Sequence, residues 1–251
     1  QGGHLVLLVC NVRPLGGGSN LLVSDAGVDC MVVRLSPDGD FGVILADENN
    51  PLVWRVGAAA GLQGLVGATI RSGVAGLESM AGIPGTVGGA VAMNAGASTG
   101  GVGRYVMAAE VVDFAGNARR LTLPELAFEY RNGCLRGTVG TEFTFAFEMR
   151  EDPDRLMARL REYRERKRVG QPLAMPSAGC VFRNPVQDSA GSLLDVSGCK
   201  GWSEGGASVS EVHANFIVNR GGASARDVAI LARRMSRAVY STMGIRLQPE
   251  I

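Results

Sequence analysis

Between Ser79 and Gly103 the chain carries no charged residue, a stretch long enough to raise the question of a membrane-spanning helix. Gly82, Pro84, Gly85, Gly88, Gly89 and Asn94 break the continuous apolar surface such a helix needs. The stretch is expected instead to be buried loop and strand gathered around a ligand. A second cluster, Gly16-Gly17-Gly18-Ser19-Asn20, has the composition of a phosphate cradle, because successive small residues let main-chain N–H groups converge where side chains would obstruct. Neither cluster spells a dinucleotide-binding GxGxxG or a P-loop with its lysine. Taken singly each is equally an ordinary turn; taken together they allow one long ligand to thread between them.

Composition narrows the class. Hydrophobic residues make up 46% and charged residues 20%, as in an ordinary globular protein, and a net charge of +1 gives no footprint for nucleic acid. The 36 glycines follow no collagen period, so they serve tight turns and close backbone approach. Cys10, Cys30, Cys134, Cys180 and Cys199 are odd in number and lack CxxC spacing, which argues against a disulfide framework or structural zinc and fits a reducing cytoplasm. His4 and His213 are the only histidines, so no metal site is expected. The apolar stretch Leu5–Val9 lacks the flanks of a secretory signal, and no membrane insertion is expected.

Periodicity lays out the elements. Leu5–Val9 and Met31–Leu35 read as short strands, and Val53–Ala59 as another. Leu62, Leu65, Val66, Thr69 and Ile70 recur at helical spacing. Gly64 and Gly67 weaken that helix, so close packing must hold it. Tyr105–Phe114 and Arg119–Leu123 flank a turn at Asn117 and suggest antiparallel strands. Phe143, Phe145, Phe147 and Met149 alternate with polar or small residues, which predicts a strand over Thr141–Met149 with one buried face. Residues 155–168 read as a helix with a solvated face on which Glu162 meets Arg166 and Arg161 meets Glu165. A last helix begins near Ser224, where Asp227 completes a capping box, and buries Val228, Leu231, Met235 and Val239.

Four blocks in order, Leu15–Leu22, Gly82–Ala97, Pro176–Pro185, and Gly205-Gly206-Ala207 continuing to His213-Ala214-Asn215-Phe216-Ile217-Val218-Asn219, resemble the UDP-N-acetylenolpyruvoylglucosamine reductase family across nearly the whole chain. The resemblance implies an α+β fold: a two-part FAD-binding region of the vanillyl-alcohol-oxidase-like type and a C-terminal α+β substrate-binding domain. The expected division is a small N-terminal domain over 1–38, joined by the extreme C-terminus, a middle domain over 39–150, and a substrate-binding domain over 153–248. The front end departs from the family, since its Asn-Thr segment and Gly-Gly-Pro-Ala-like turn are absent, so the first domain is expected to be incomplete. The short block between Arg131 and Cys180 is similar to the compact subtype without an extra Tyr-bearing loop.

The activity implied is NADPH-dependent reduction of UDP-N-acetylglucosamine enolpyruvate to UDP-N-acetylmuramate through tightly bound FAD. No obligate protein partner is implied. Gly16, Gly17, Gly18, Ser19, Asn20 and Leu21 with Ile83, Pro84, Gly85, Thr86, Gly88 and Gly89 are expected to cradle FAD, with Asn94, Ala95 and Gly96 near the flavin. Arg131, Cys180 and Glu250 match the family's catalytic positions. A fixed guanidinium stabilises charge developing on a carboxylate or enolate. Cys180 replaces the usual serine proton donor; a thiol with a reference pKa of about 8.5 yields a proton more readily than a hydroxyl and adds a liability to oxidation. Glu250, one residue from the end of the sequence, would position the donor or polarise the substrate, unless it frays. Tyr130, Arg183, Asn184 and Lys200 are the expected substrate contacts, with Arg183 where many members carry lysine. His213 reads at least as well as a satisfied structural histidine. Two rival readings stay open: another FAD oxidoreductase on the same fold, and a flavin-binding module without turnover.

Overall fold

The computed structural model describes residues 11–97, 100–131, 133, 135, 137–186 and 188–251. The strand expected at Leu5–Val9, together with Cys10 and His4, lies outside the described residues, as do Asn132 and Cys134. The first part is a two-stranded parallel sheet of β1 (Val12–Pro14) and β2 (Met31–Val33). Parallel strands need a long crossover, and the crossover here is the loop that holds Gly16–Asn20.

The middle part is a five-stranded antiparallel sheet packed on helices. Its elements are β3 (Ile44–Ala46), β4 (Val53–Gly57), α1 (Leu62–Arg71), α2 (Val87–Ala92), a small hairpin of β5 (Gly96–Ala97) and β6 (Gly100–Gly101), β7 (Val106–Asp113), β8 (Ala118–Thr122) and β9 (Thr138–Ala146). The sheet order is β3-β4-β9-β7-β8. Phe143 and Phe145 of β9 are fully buried against Leu62, Leu65, Val66 and Ile70 of α1 in one core. The tight approach expected for the α1 glycines holds at Gly64, where a β-carbon would stand 3.3 Å from Ile44 Cδ1.

Three expectations need correction. The strand expected to reach Met149 ends at Ala146: Phe147 N–H makes one last bond, to Leu52 O, and the chain then leaves the ladder to pair Arg150 with Val74, with Met149 57% exposed. The uncharged stretch is not loop and strand alone, since α2 forms within it, its first turn capped by Thr86 Oγ1 accepting from Gly89 N–H. Among the described residues no helix is long and apolar enough to cross a membrane. Finally, α3 (Pro153–Gly170) falls in the segment expected to open a third domain, yet its buried Leu156 and Leu160 belong to the middle core. Its Arg159 spans Glu78 at 2.7 Å and Glu151 at 2.6 Å. On the solvated face Glu162 pairs with Arg166, whereas Glu165 pairs with Arg168 and not with Arg161.

The C-terminal part comprises β10 (Ser177–Cys180), α4 (Ala190–Val196), β11 (Ser203–Glu204), β12 (Ala207–Val209), β13 (Phe216–Asn219) and α5 (Ala225–Met243). Its antiparallel sheet runs β10-β13-β12-β11. The capping box of Ser224 and Asp227 forms, and α5 ends on Gly244 at φ 71°, the left-handed conformation glycine adopts without strain. Leu231, Met235 and Val239 are buried in a second core, with Val228 at its edge. Leu247 and Ile251 pack in that same core, and Phe182 pairs with Pro249, so the extreme C-terminus joins the third part where the first was expected. Asp25 ties the first part to the third, its carboxylate accepting from Ala225 N–H at 2.7 Å and Arg226 N–H at 3.0 Å.

Candidate active site

The two glycine clusters meet. A β-carbon on Gly17 would stand 2.6 Å from Gly85 Cα, and one on Gly16 would stand 2.9 Å from Thr86 Oγ1, so side chains are excluded from the seam between the loops. Ser19 Oγ donates to Pro84 O at 3.2 Å. Gly18, at φ 71°, faces open space. Within the second loop the N–H groups of Val87, Gly88 and Gly89 are committed to Ala60 O, Ala58 O and Thr86 Oγ1, which leaves Gly85, Thr86 and the Gly16–Asn20 loop as main-chain donors. FAD, expected from the resemblance, fits this cradle, because its pyrophosphate asks for close main-chain approach without side chains in the way.

A residue without any motif signal holds the second loop. Gln63, on the first turn of α1, donates through Nε2 to Met80 O and Ile83 O, both at 2.9 Å, and accepts at Oε1 from Gly82 N–H at 3.0 Å. Lys167 Nζ donates to Ala81 O at 2.5 Å, and burial lowers its pKa.

Asn94 and Arg131 are the only non-glycine residues with positive φ among those described, at 42° and 54°. Such backbone is uncommon for non-glycine residues, and here the two are linked. Asn94 Nδ2 donates to Glu129 O at 2.8 Å while its Oδ1 accepts from Gly103 N–H at 3.0 Å. Ala95 N–H donates to Ala90 O, and a β-carbon on Gly96 would run into Gly100 O at 2.2 Å. The Asn94-Ala95-Gly96 turn thus braces the segment that presents Arg131.

Arg131, Cys180 and Glu250 arrive from three separate segments. Gly179, at φ 87°, lies in the irregular register where Ser177 pairs with Val218 but Cys180 with Phe216, and this bulge sets the direction of the Cys180 side chain. Glu250 does not fray, because its N–H donates to Val181 O at 2.8 Å and Arg183 N–H donates to Gln248 O at 2.9 Å. Arg131 Nε stands 2.9 Å from Glu250 Oε1, and the Glu250 side chain is 8% exposed. Burial raises the Glu250 pKa, with Arg131 and then Arg183 pulling it back. Burial, reinforced by the Glu250 charge and opposed by Arg131, pushes the Cys180 thiol up to about 11. The thiol is therefore protonated at neutral pH, and its raised pKa works against the liability to oxidation expected of it.

The expected substrate contacts divide. Arg183 Nε is buried without a hydrogen-bond partner among the described residues and lies close enough to Glu250 to perturb it. Tyr130 is 56% exposed; its hydroxyl accepts from Asn184 N–H at 3.4 Å and its ring lies 5.5 Å from the Arg131 guanidinium. The Asn184 amide oxygen is occupied, accepting from Ala190 N–H at the start of α4. Lys200 pairs with Asp195 at 2.7 Å, and no contact among the described residues links it to Arg131, Cys180 or Glu250. His213 is structural in its bonding: its Nδ1 accepts from Asn215 N–H at 3.2 Å, and burial lowers its pKa, assisted by the Lys200 charge. Among the described residues no group of side chains could hold a metal ion. A cavity of about 310 Å³ beside Glu78, Tyr105 and Arg159 includes none of the trio, and another of about 400 Å³ between Leu22 and α5 is lined by Val181, Pro249 and Ile251, the chain neighbours of Cys180 and Glu250.

Comparison with known proteins fits this geometry. Residues 9–122 match the FAD binding domain family, and residues 171–251 match the C-terminal domain of UDP-N-acetylenolpyruvoylglucosamine reductase. The chain is 42% identical over 238 residues to UDP-N-acetylenolpyruvoylglucosamine reductase 2 of Symbiobacterium thermophilum, covering 94% of this chain and 76% of that protein. It is 43% identical over 242 residues to the reductase of Moorella thermoacetica, with the same coverage of both chains. The crystal structure of the Thermus caldophilus reductase superposes with a TM-score of 0.82 at 38% identity, over 97% of this chain and 85% of that one.

Proposed function

The chain belongs to the UDP-N-acetylenolpyruvoylglucosamine reductase family, and on that premise we propose that Cys180, Arg131 and Glu250 carry the chemistry of its site. The reaction is the reduction of UDP-N-acetylglucosamine enolpyruvate to UDP-N-acetylmuramate with NADPH as reductant, a step in peptidoglycan precursor synthesis. Bound FAD supplies the hydride chemistry between NADPH and the enolpyruvyl methylene carbon. The residues of the chain then have four tasks. The Cys180 thiol gives its proton to the carbon adjacent to the one that receives hydride, completing the lactyl ether. Arg131, charged at any working pH, stabilises the negative charge on the enolpyruvyl carboxylate and enolate oxygens. Glu250 orients that guanidinium and keeps the neighbouring thiol protonated through its charge. Arg183 has a free Nε–H for an anionic oxygen of the substrate, its diphosphate being the natural partner; Tyr130 and Asn184 flank the approach, and Lys200, paired with Asp195, is the remaining contact.

The observation that carries this reading is the convergence of an arginine, a buried thiol and a buried carboxylate from three distant segments at one point. Substrate and reductant are both cytoplasmic metabolites in this reading, which assigns the protein to that compartment. The deciding experiment reduces the FAD-loaded protein anaerobically with one equivalent of NADPH and then adds UDP-N-acetylglucosamine enolpyruvate. Return of the oxidised-flavin band supports the assignment. A band that stays bleached would move the protein to another FAD oxidoreductase activity, and binding without any reduction would make it a flavin-binding module.

A further inference from the structure

The segment His213–Asn219 stood out in the sequence, and within it Phe216 pairs with Cys180. Its part becomes visible in how residues 181–183 are held. The β10 ladder with β13 reaches Cys180, opposite Phe216, and the next residues diverge toward the C-terminal tail. Val181 O then accepts from Glu250 N–H and Arg183 N–H donates to Gln248 O, at 2.8 and 2.9 Å. Phe182, 2% exposed, still needs partners for its own N–H and C=O, since unpaired main-chain groups are rarely tolerated in a buried strand. Both come from one side chain. Asn215 Oδ1 accepts from Phe182 N–H at 2.9 Å, and Asn215 Nδ2 donates to Phe182 O at 2.8 Å. The Asn215 main chain adds a third bond, its O accepting from Val181 N–H at 2.9 Å. Asn215 is itself 1% exposed, and its N–H is held by His213 Nδ1.

An amide is suited to this task, because it presents one acceptor and one donor side by side, the same pair a neighbouring strand would offer. The segment so held lies between Cys180 and Arg183, and through Val181 it also fixes the register of Glu250. We infer that Asn215 is a positioning residue for the substrate step: it takes the place of a missing strand and sets the Cys180 thiol, Arg183 and Glu250 in register with one another. Hydride uptake from NADPH needs none of these three groups, so loss of Asn215 must divide the two half-reactions.

This inference rests on the proposed roles of Cys180 and Glu250, and the test separates the two. In Asn215→Ala, FAD is retained and NADPH reduces it at the wild-type rate, whereas reoxidation by UDP-N-acetylglucosamine enolpyruvate slows on the order of 100-fold, the loss expected from a small misplacement of reacting groups. Independently of turnover, peptide-mapped alkylation of the FAD-free protein by iodoacetamide quickens several-fold at Cys180 and not at Cys199, which shares the second core but whose main chain is held by Leu194 O and not by Asn215. Asn215→Asp keeps the acceptor for Phe182 N–H and decides the matter if the alanine variant does not fold. Equal slowing of both half-reactions, parallel exposure of Cys180 and Cys199, loss of FAD by the aspartate variant too, or an unchanged substrate step would each overturn the inference. Failure of the wild-type protein to reoxidise with this substrate would instead sink the functional reading on which it stands.

Discussion

Arg131 Nε and Glu250 Oε1 face each other at 2.9 Å in a largely buried ion pair. A buried ion pair is an orienting device more than a source of stability, because desolvation of both ions offsets much of their attraction. Because burial outweighs the pull of Arg131 and Arg183 on the Glu250 carboxyl, Glu250→Gln should cost activity without a matching cost in stability. We expect the substrate step to fall on the order of 100-fold, the scale of losing one oriented stabilising group. Burial raises the Glu250 pKa in the native state, so its contribution to stability is fully present below the ordinary carboxylate range of about 4.3 and is lost as pH rises through the raised native value. Across that window wild type should lose stability relative to Glu250→Gln, as read by urea midpoints at a series of pH values. A wild type that instead gains stability relative to the variant as pH rises would show that the ion pair outweighs burial.

The thiol yields a prediction of the same kind on the alkaline side. With Cys180 pushed up to about 11, the rate of the substrate step should not fall as pH passes about 8.5, where an ordinary thiol ionises. Cys180→Ala should lose roughly 10²–10⁴-fold in that step, the usual worth of a positioned proton donor, and Cys180→Ser should retain much of it. The raised native pKa also means that the unfolded chain releases the thiol proton first. Stability owed to Cys180 is whole below the unfolded value and drains away up to about 11. Cys180→Ser should flatten that loss, although Cys199, also pushed up to about 11, keeps part of it. A rate that halves near the ordinary thiol pKa would place Cys180 in contact with water.

What could be read from the sequence was local. The capping box at Ser224, the turn between β7 and β8, and the period-two burial of Phe143 and Phe145 each depend on neighbours within a few residues, and all three formed. The glycine clusters were legible because close backbone approach leaves few other residues possible. Where reasoning failed, the deciding contact was distant. α2 forms through Gly88 and Gly89 despite their poor propensity, since Val87 and Val91 are buried in the core. α3 belongs with the middle core because Arg159 finds Glu78 eighty-one residues away. Glu250 looked like a frayed end, and only its pairing with Val181 makes it a fixed carboxylate. Gln63 and Asn215 carry no spacing signal; each matters through main-chain groups that no side-chain pattern reveals.

Gln63 offers a test of the cofactor cradle that leaves the reacting groups untouched. Its amide makes three bonds to the loop at Met80–Ile83, and each bond is worth about 1 kcal/mol net. Gln63→Ala should weaken FAD binding on the order of 10-fold or more in a fluorescence titration of the FAD-free protein. Once saturated with FAD, the variant should run both half-reactions at wild-type rates. Unaltered FAD affinity would mean that Lys167, bonded to Ala81 O, suffices to hold the loop.

The contact between Asp25 and the start of α5 makes the last prediction. The carboxylate accepts from two N–H groups of the first helical turn, where the helix dipole favours an anion and such an interaction is worth about 1 kcal/mol. The helix does not need it as a cap, because Ser224 and Asp227 already form a complete box. Its effect must then be to hold the loop that follows Gly16–Asn20 against the C-terminal part, which narrows the motion open to the cofactor cradle. Asp25→Ala should speed FAD dissociation several-fold while the far-ultraviolet spectrum of the helices stays the same, and Asp25→Asn, which keeps one acceptor, should fall between. If FAD leaves both variants at the wild-type rate, the glycine loops alone define the cradle and the link between first and third parts plays no role in holding the cofactor.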